Sequence, residues 1–445
     1  MAERTPNSAL RRLVKESRWT LDQCARAVNR VGTEHGTPLR YNGSAVHHWL
    51  GGTMPREPVP RLIIEAFSRH LNRPITHGEA GFPTPIAHAS EPVGTVEGLI
   101  ELGRMDTDPT RRGVLGAGLF SVALTIPGWP EVVARAEDVR SGKTAHVGMN
   151  DVQMVTAMTD RLSELDDEFG GRYARPMAAS FLTSIVVPAL DADGTEAVRN
   201  AMRSAASDLC YLTGYMAVDE GSHGLAQRYY IKALELAGAA KDHLTYCTTL
   251  RGMSVQAVDL GHGNEAMRLA DAAAAASPQA GPRMRAFLAG QQAHAAAQTG
   301  DRTNALRFMS EAEVAMDRAE SRGKAFGSYD PASLHYHVSQ VRFELGDDRG
   351  AVEALKQSDR ERLSVYRRDR VHRRGLLAER QLHVGHLEAA CRTWSLALDE
   401  YPMVKSGRAD ERMKRVLPLL RPYLKNAAAR DLYDRARGAV AYGRT

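Results

Sequence analysis

The sequence predicts an all-α protein, a small helical domain at the N-terminus followed by a long helical solenoid. Three observations predict it. Ala and Leu are plentiful while β-branched runs are rare and short, a bias toward helix over strand. From about residue 145 almost to the end, apolar residues recur at helical spacing, and no convincing alternation marks a strand. A glycine followed five positions later by an alanine returns five times at similar intervals, the mark of an internal repeat. A chain of 445 residues is expected to hold two or three domains. The pattern divides it into a head at 1–73, a linker with connecting helices at 74–144 and a repeat body with end caps at 145–445.

In the head, Asn7 and Ser8 can cap a helix reaching about Glu16. Thr20-Leu21-Asp22-Gln23 has the form of a capping box, in which the hydroxyl and the Gln side chain satisfy each other's free backbone donors. It opens a second helix whose Leu21, Cys24, Ala25 and Val28 make one apolar stripe and which Gly32 is expected to end. After a polar loop to Arg40, a short helix spans roughly 44–50 and stops at Gly51-Gly52; a fourth runs over about 59–71. Val46 and Trp49, three apart, should face the core, leaving Ser44, Ala45, His47 and His48 outward. The linker is rich in Pro, Gly, Thr and His, with a short helix near 96–102.

The body carries the pairs Gly221/Ala226, Gly261/Ala266, Gly300/Ala305, Gly346/Ala351 and Gly385/Ala390, with 40, 39, 46 and 39 residues between successive glycines. Seven residues past each alanine stands Ala233, Ala273, Ala312, Ser358 or Ala397, and seven before each glycine stands Gly214, Ser254, Ala293, Ser339 or Ala378. Pro278 and Pro402 follow the second alanine by five. A helical hairpin explains the register. The upstream small residue admits the second helix, the glycine makes the turn, and the alanines, two turns apart, meet the next repeat. Stretches 145–212 and 408–440 read as degenerate helical pairs closing the two ends.

Charge separates the two parts. Residues 1–80 hold 12 Lys and Arg against 7 Asp and Glu, which accounts for the whole net charge of +5. A basic head on a neutral body suits attraction to phosphate. Cys24, Cys210, Cys247 and Cys391 form no C-x-x-C pair, so neither a zinc site nor a redox motif is expected; buried thiols in a reducing cytoplasm fit instead. The N-terminal MAERTPNSALRR lacks the apolar core of a signal peptide, and the apolar run at 113–126, after Arg111-Arg112, is too short and Gly-rich to span a bilayer. The expectation is a cytoplasmic protein with no membrane partner. Ser141-Gly142-Lys143-Thr144 imitates a phosphate-binding loop, but Glu137 occupies the position of its first glycine and would repel phosphate. Adjacent His47 and His48 point about 100° apart on a helix with no third ligand, and His383 with His386 lacks a glutamate base. No nucleophile–base pair stands out, so no enzyme activity, cofactor or metal is expected.

Residues 7–72, through their short helices, Trp49-x-x-Gly52 and Pro55, resemble the Cro/repressor-type (XRE) helix-turn-helix family, in which the third helix enters the major groove. The resemblance implies base contacts from Ser44, Ala45, His47 and His48, base or backbone contacts from Tyr41 and Asn42, and phosphate contacts from Arg40 and Arg56. Leu21 departs from the Gln usual there, and the connection from Gly32 to Asn42 is long. The body resembles the tetratricopeptide repeat, departing from its length of about 34 residues. That resemblance implies a concave face lined by first helices. Candidate ligand residues there are Arg251, Gln256, Arg285, Gln292, His335, His337, Gln340, Arg373 and Arg374, each with solvation as its plain alternative. The combination resembles the helix-turn-helix and tetratricopeptide regulators of actinomycetes. It implies a homodimer that binds duplex DNA at a two-fold operator and senses a small molecule or peptide. The alternative is a repeat-based protein adaptor with a vestigial or protein-binding head.

Overall fold

The computed structural model describes residues 6–34, 39–56, 58–71, 75, 78–83, 95–106, 146–276, 280–319 and 329–442. The expectations placed on 113–126, 137 and 141–144, on Pro278 and on most of the 74–144 linker lie outside these residues. The described chain is all-α, its only bridge outside helices being His146 with Asp193. No described helix is long and apolar enough to cross a membrane. The four cysteines are buried and unpaired, and among the described residues no group of three or more His, Cys, Asp or Glu is set to hold a metal. Two compact units emerge, one of Met1–Val93 with the turns Gly221–Leu225 and Asp259–His262, the other of the remainder from Gly94.

The first unit is a bundle of α1 (Ser8–Ser17), α2 (Leu21–Glu34), α3 (Gly43–Leu50) and α4 (Val59–Leu71). Local chemistry sets each boundary. Asn7 caps α1 by accepting from the Leu10 N–H at 2.9 Å, and Arg18 ends it in the left-handed region at φ 54°. The capping box forms, with Thr20 N–H donating to Gln23 Oε1 at 2.8 Å and Gln23 N–H to Thr20 Oγ1 at 3.2 Å. Gly32 does not end α2, which runs on to Glu34: no residue there takes a positive φ, and a helical glycine is merely costly. Leu13, Val28, Val46, Ile63 and Phe67 are fully buried in one core with Ala25, Trp49 and Leu50. Trp19 closes one end, stacked on His70 at 4.3 Å and tilted against Phe67 at 5.2 Å.

The second unit opens with α5 (Thr95–Asp106), α6 (Met149–Phe169) and α7 (Gly171–Phe181), which continues through a π turn (Leu182–Val186) into α8 (Val187–Asp191). Then come α9 (Glu196–Asp219) and the hairpin partners α10 (His223–Ala240), α11 (His243–Asp259), α12 (Gly263–Ala276), α13 (Pro282–Gln298), α14 (Arg302–Asp317), α15 (Pro331–Glu344), α16 (Asp348–Glu361), α17 (Arg367–His383) and α18 (Leu387–Glu400). The closing pair is α19 (Gly407–Leu420) and α20 (Ala427–Tyr442). The sequence register is structural throughout. All five repeat glycines take φ between 77° and 85° at the turn, and every register alanine, with Ser358, is completely buried. At Gly214 a Cβ would fall 2.9 Å from the Tyr230 ring, so only glycine admits that helix crossing. Where serine takes the small position, Ser254 and Ser339 donate to the carbonyls of Ala266 and Ala351 at 2.7 and 2.5 Å. The 46-residue step is taken up between α14 and α15.

The array then closes on itself. The Lys405 N–H donates to Phe169 O at 2.7 Å, and Arg172 N–H to Lys405 O at 3.2 Å. Gly170 and Gly407 let backbone meet backbone here: a Cβ on Gly407 would sit 2.8 Å from the Glu220 main chain. Arg368 of α17, buried, lies 3.0 Å from Asp166, 3.3 Å from Asp167 and 3.4 Å from Asp219, with Ser406 donating to Asp219 at 2.9 Å. An ion cluster thus ties the last hairpins to the first helices.

Candidate nucleic-acid interface and ligand face

The geometry of α3 starts one loop earlier. Asn29 on α2 donates from Nδ2 to Tyr41 O at 2.8 Å and accepts the Tyr41 N–H on Oδ1 at 2.9 Å, so one amide pairs with the main chain as a strand neighbour would. Asp22 Oδ1 accepts the Gly43 N–H at 2.7 Å, and Asn42 caps α3 by accepting from the Ala45 N–H at 3.3 Å. At the other end, Gly52 takes φ 92° and its N–H returns to Trp49 O at 3.1 Å. A two-turn helix, too short to persist alone, is thus fixed at both ends.

Val46 and Trp49 are buried as their spacing required, and Ser44, His47 and His48 are exposed. Ala45 is half-buried against the core. Tyr41 is half-buried too, its ring edge-on to Trp49 at 5.0 Å, which makes it a support of the loop. Asn42 is exposed, but its carbonyl oxygen is engaged in the cap. Arg40 and Arg56 are exposed on the segments flanking α3. No carboxylate stands on α3 itself, and that face offers imidazole and hydroxyl groups.

The nine candidates of the repeat unit all fall on first helices: Arg251 and Gln256 on α11, Arg285 and Gln292 on α13, His335, His337 and Gln340 on α15, Arg373 and Arg374 on α17. Solvation explains only Arg285. Arg251, Gln256, Gln292, His337, Arg373 and Arg374 are buried, and His335 and Gln340 are half-buried. Several of them hold adjacent helices together. Gln292 donates to Asp271 at 2.8 Å; Arg374 reaches Asp359 at 2.8 Å and Glu400 at 2.9 Å. Arg373 pairs with Asp369 at 2.7 Å and donates to Ala332 O at 2.6 Å and Ser358 Oγ at 2.5 Å. His335 lies 3.6 Å from Glu361.

Arg251, His337 and Gln340 belong instead to a run of aromatic and basic side chains along the inner helices. The Arg251 guanidinium lies 3.8 Å over the Phe287 ring, which meets Tyr329 at 5.2 Å. The Tyr329 hydroxyl is 2.9 Å from His337 Nδ1, and His337 neighbours His294 and Tyr336 at 6.3 and 6.0 Å. Gln340 donates to the Tyr336 hydroxyl at 3.2 Å and accepts from Arg380, whose guanidinium covers Phe343 at 4.4 Å. Burial, reinforced by Arg380 and Arg251, pulls His294 down to about 4, and burial with Arg251 beside it takes His337 well below the usual imidazole range. Both rings are neutral near pH 7, so the guanidiniums carry this face's positive charge. Sequence reading passed over His294, Tyr329 and Arg380. Arg380 and His294 could have been found from the register, two and one residues past the small positions Ala378 and Ala293; Tyr329 stands in the long connection and carried no periodic signal.

A separate apolar cavity of about 410 Å³ lies near the closure, lined by Leu165, Phe169, Tyr173, Met177, Pro402, Met403 and Lys405.

No curated protein matches the chain. A family model described as the SP15 N-terminal domain matches residues 10–83, so the first unit, α1 to α4 and the segment after them, is similar to that domain.

Proposed function

We propose that the chain is a sequence-specific DNA-binding transcriptional regulator. The first unit acts as a helix-turn-helix reader of the Cro/repressor type. The repeat unit is a tetratricopeptide-type body that dimerises and senses a small molecule or peptide. One observation carries the reading: α3 is anchored at both ends, buries Val46 and Trp49, and presents Ser44, His47 and His48 outward, with Arg40 and Arg56 exposed on the segments beside it. Imidazoles and a hydroxyl can exchange hydrogen bonds with base edges, while the arginines neutralise phosphates and set the docking register. The net charge of +5, all of it within the first 80 residues, supplies long-range attraction. Two copies related by a two-fold axis would read a palindrome. A ligand changes this output by favouring one arrangement of the chain over another. No catalytic step is assigned to either unit.

Selection of duplexes from a randomised pool by the full-length protein at moderate salt tests the reading. A two-fold sequence bound far more tightly than random DNA is expected. Failure of every duplex to exceed random DNA overturns it, and stoichiometric recovery of one partner protein without any operator would identify an adaptor.

A further inference from the structure

Buried guanidiniums in the repeat unit are matched by acids almost without exception. Arg175 faces Asp106 and Glu220, Arg362 faces Asp330 and Asp369, and Arg368 faces three aspartates. Arg373 has Asp369, and Arg374 has Asp359 and Glu400. Arg251 and Arg380 break the rule. They are 9% and 5% exposed, yet among the described residues no carboxylate lies within 4.0 Å of either. The Nε of each has no acceptor. Aromatic faces cover both, Phe287 over Arg251 and Phe343 over Arg380. A guanidinium buried without a counter-charge is costly, and a chain that places two on one internal face leaves that cost open to an outside partner.

We propose that this inner face binds an oxyanion, a carboxylate or phosphate group of the sensed ligand, with Arg251 and Arg380 as its cationic anchors. The inference rests on reading that face as the ligand site. The run of Phe287, Tyr329, His337 and Tyr336 supplies aromatic walls between the anchors. His294 lies in the field of both arginines and is held neutral by burial and by them, so the rings add no competing charge. Burial also pulls Arg380 down to about 10, with Tyr336, Glu344 and Glu379 opposing the fall and Arg412 adding to it. Guanidinium groups are the side chains best shaped for bidentate capture of carboxylate or phosphate.

The test uses the full-length protein without DNA, titrated with inorganic phosphate or triglutamate against sodium chloride of equal ionic strength, reading the thermal midpoint and binding heat. At least one of the two anions should raise the midpoint beyond the chloride control. Arg251→Met and Arg380→Met should each weaken that anion at least about tenfold, since a charged hydrogen bond is lost. Without anion, Arg251→Met should melt no lower than the parent chain, because an uncompensated charge has gone, whereas Arg380→Met also loses its bonds to Ser339 and Gln340 and should melt lower. A response to phosphate alone identifies a phosphorylated ligand, and one to triglutamate alone an acidic peptide. No anion-specific shift, or one unchanged in the double variant, overturns the proposal. Should the variants not fold, amide exchange of the unaltered protein decides: the anion must slow exchange in 243–259 and 367–383, and protection elsewhere overturns it. Anion binding with no operator would sink the regulator reading alone; an operator with no anion binding would sink this inference alone.

Discussion

Asn29 and Tyr41, twelve residues apart, are joined by two hydrogen bonds through a single side-chain amide, 2.8 Å from Nδ2 to the Tyr41 carbonyl and 2.9 Å from the Tyr41 N–H to Oδ1. The pair does for the long connection before α3 what a tight turn does in a shorter one. Asn29→Ala would leave both main-chain groups of Tyr41 unpaired and partly buried, a loss of about 1–3 kcal/mol. Amide exchange of Tyr41 and Gly43 should quicken, and DNA affinity should fall while the core of α1 and α4 stays folded. Asn29→Asp keeps the acceptor and loses the donor, so it should fall between the two.

The two kinds of exposed residue around α3 should separate in binding experiments. His47→Ala removes an exposed group of α3 proposed to face base edges and is expected to relax discrimination at one base position by about 1–3 kcal/mol. Arg56→Ala removes the proposed phosphate contact, so it should weaken all sequences alike and lower the slope of log affinity against log salt by about 1. Anisotropy titrations at several salt concentrations on matched and mismatched duplexes check both. An Arg56→Ala effect confined to one sequence would reject the assignment.

The fold was legible where one residue type serves one steric demand at a fixed interval. Gly221, Gly261, Gly300, Gly346 and Gly385 all need a positive φ, and Ala226 to Ala397 all meet a neighbouring helix with no room to spare. The Thr20–Gln23 cap was equally legible, since both of its bonds lie within four residues. The candidate ligand face was not. Polar residues on a first helix look alike in sequence whether they meet water or another helix: Arg373 has Asp369 one turn earlier on its own helix and Ala332 O and Ser358 on the preceding hairpin, whereas Arg251 meets the Phe287 ring of the following one. The closure was hidden for the same reason, because Arg368 and Asp166 are about 200 residues apart and neither stands in a repeating position.

Turn glycines and packing glycines should respond differently to substitution. Gly300 has φ 79° and open space where a Cβ would stand, so Gly300→Ala costs only the left-handed backbone strain of about 1–2 kcal/mol. Gly300→Asn should recover part of that loss, since Asn tolerates this region. At Gly214 the obstacle is the Tyr230 ring 2.9 Å away and the Ala226 carbonyl at 3.2 Å, so Gly214→Ala should cost about 1–3 kcal/mol by overpacking. No choice of side chain should rescue it. Urea denaturation of the three variants distinguishes the mechanisms.

Asp208 gives a pH dependence of known sign. Burial pushes its carboxyl up to about 7, opposed by a hydrogen bond from Thr245 Oγ1 at 2.7 Å and aided by Asp242. A raised carboxyl pKa favours the folded state fully below the unfolded value of about 3.9, and that contribution is lost as pH rises toward about 7. Asp208→Asn mimics the protonated form and keeps an acceptor for Thr245. The variant should match the parent chain near pH 4 and become progressively more stable than it up to about pH 7, by at most about 1.4 kcal/mol per pH unit. Thermal midpoints of both proteins across this range provide the check; a gap independent of pH would show that Asp208 does not titrate there.

Among the described residues Arg368 is the cation within 4.0 Å of Asp166, Asp167 and Asp219, and it also donates from Nε to Asp166 O at 3.1 Å. Burial already pushes Asp166 up to about 8, with Arg368 opposing and Asp219 adding to the rise. Arg368→Met keeps the apolar stem but strands three acids around an uncharged side chain, a loss of about 3–5 kcal/mol. Because the cluster lies where α17 meets α6 and α9, the loss should be greatest at the closure. Exchange should accelerate at 166–171 and 405–410 before it does in the hairpins of α13 to α16. Asp166→Asn in the same chain fixes that side chain in the uncharged form burial already favours, so it should restore part of the stability as pH rises toward about 8 and beyond, a coupling that a double-mutant cycle measures. If Arg368→Met instead loosened all hairpins equally, the ion cluster would be one packing contact among many, with no special part in closing the array.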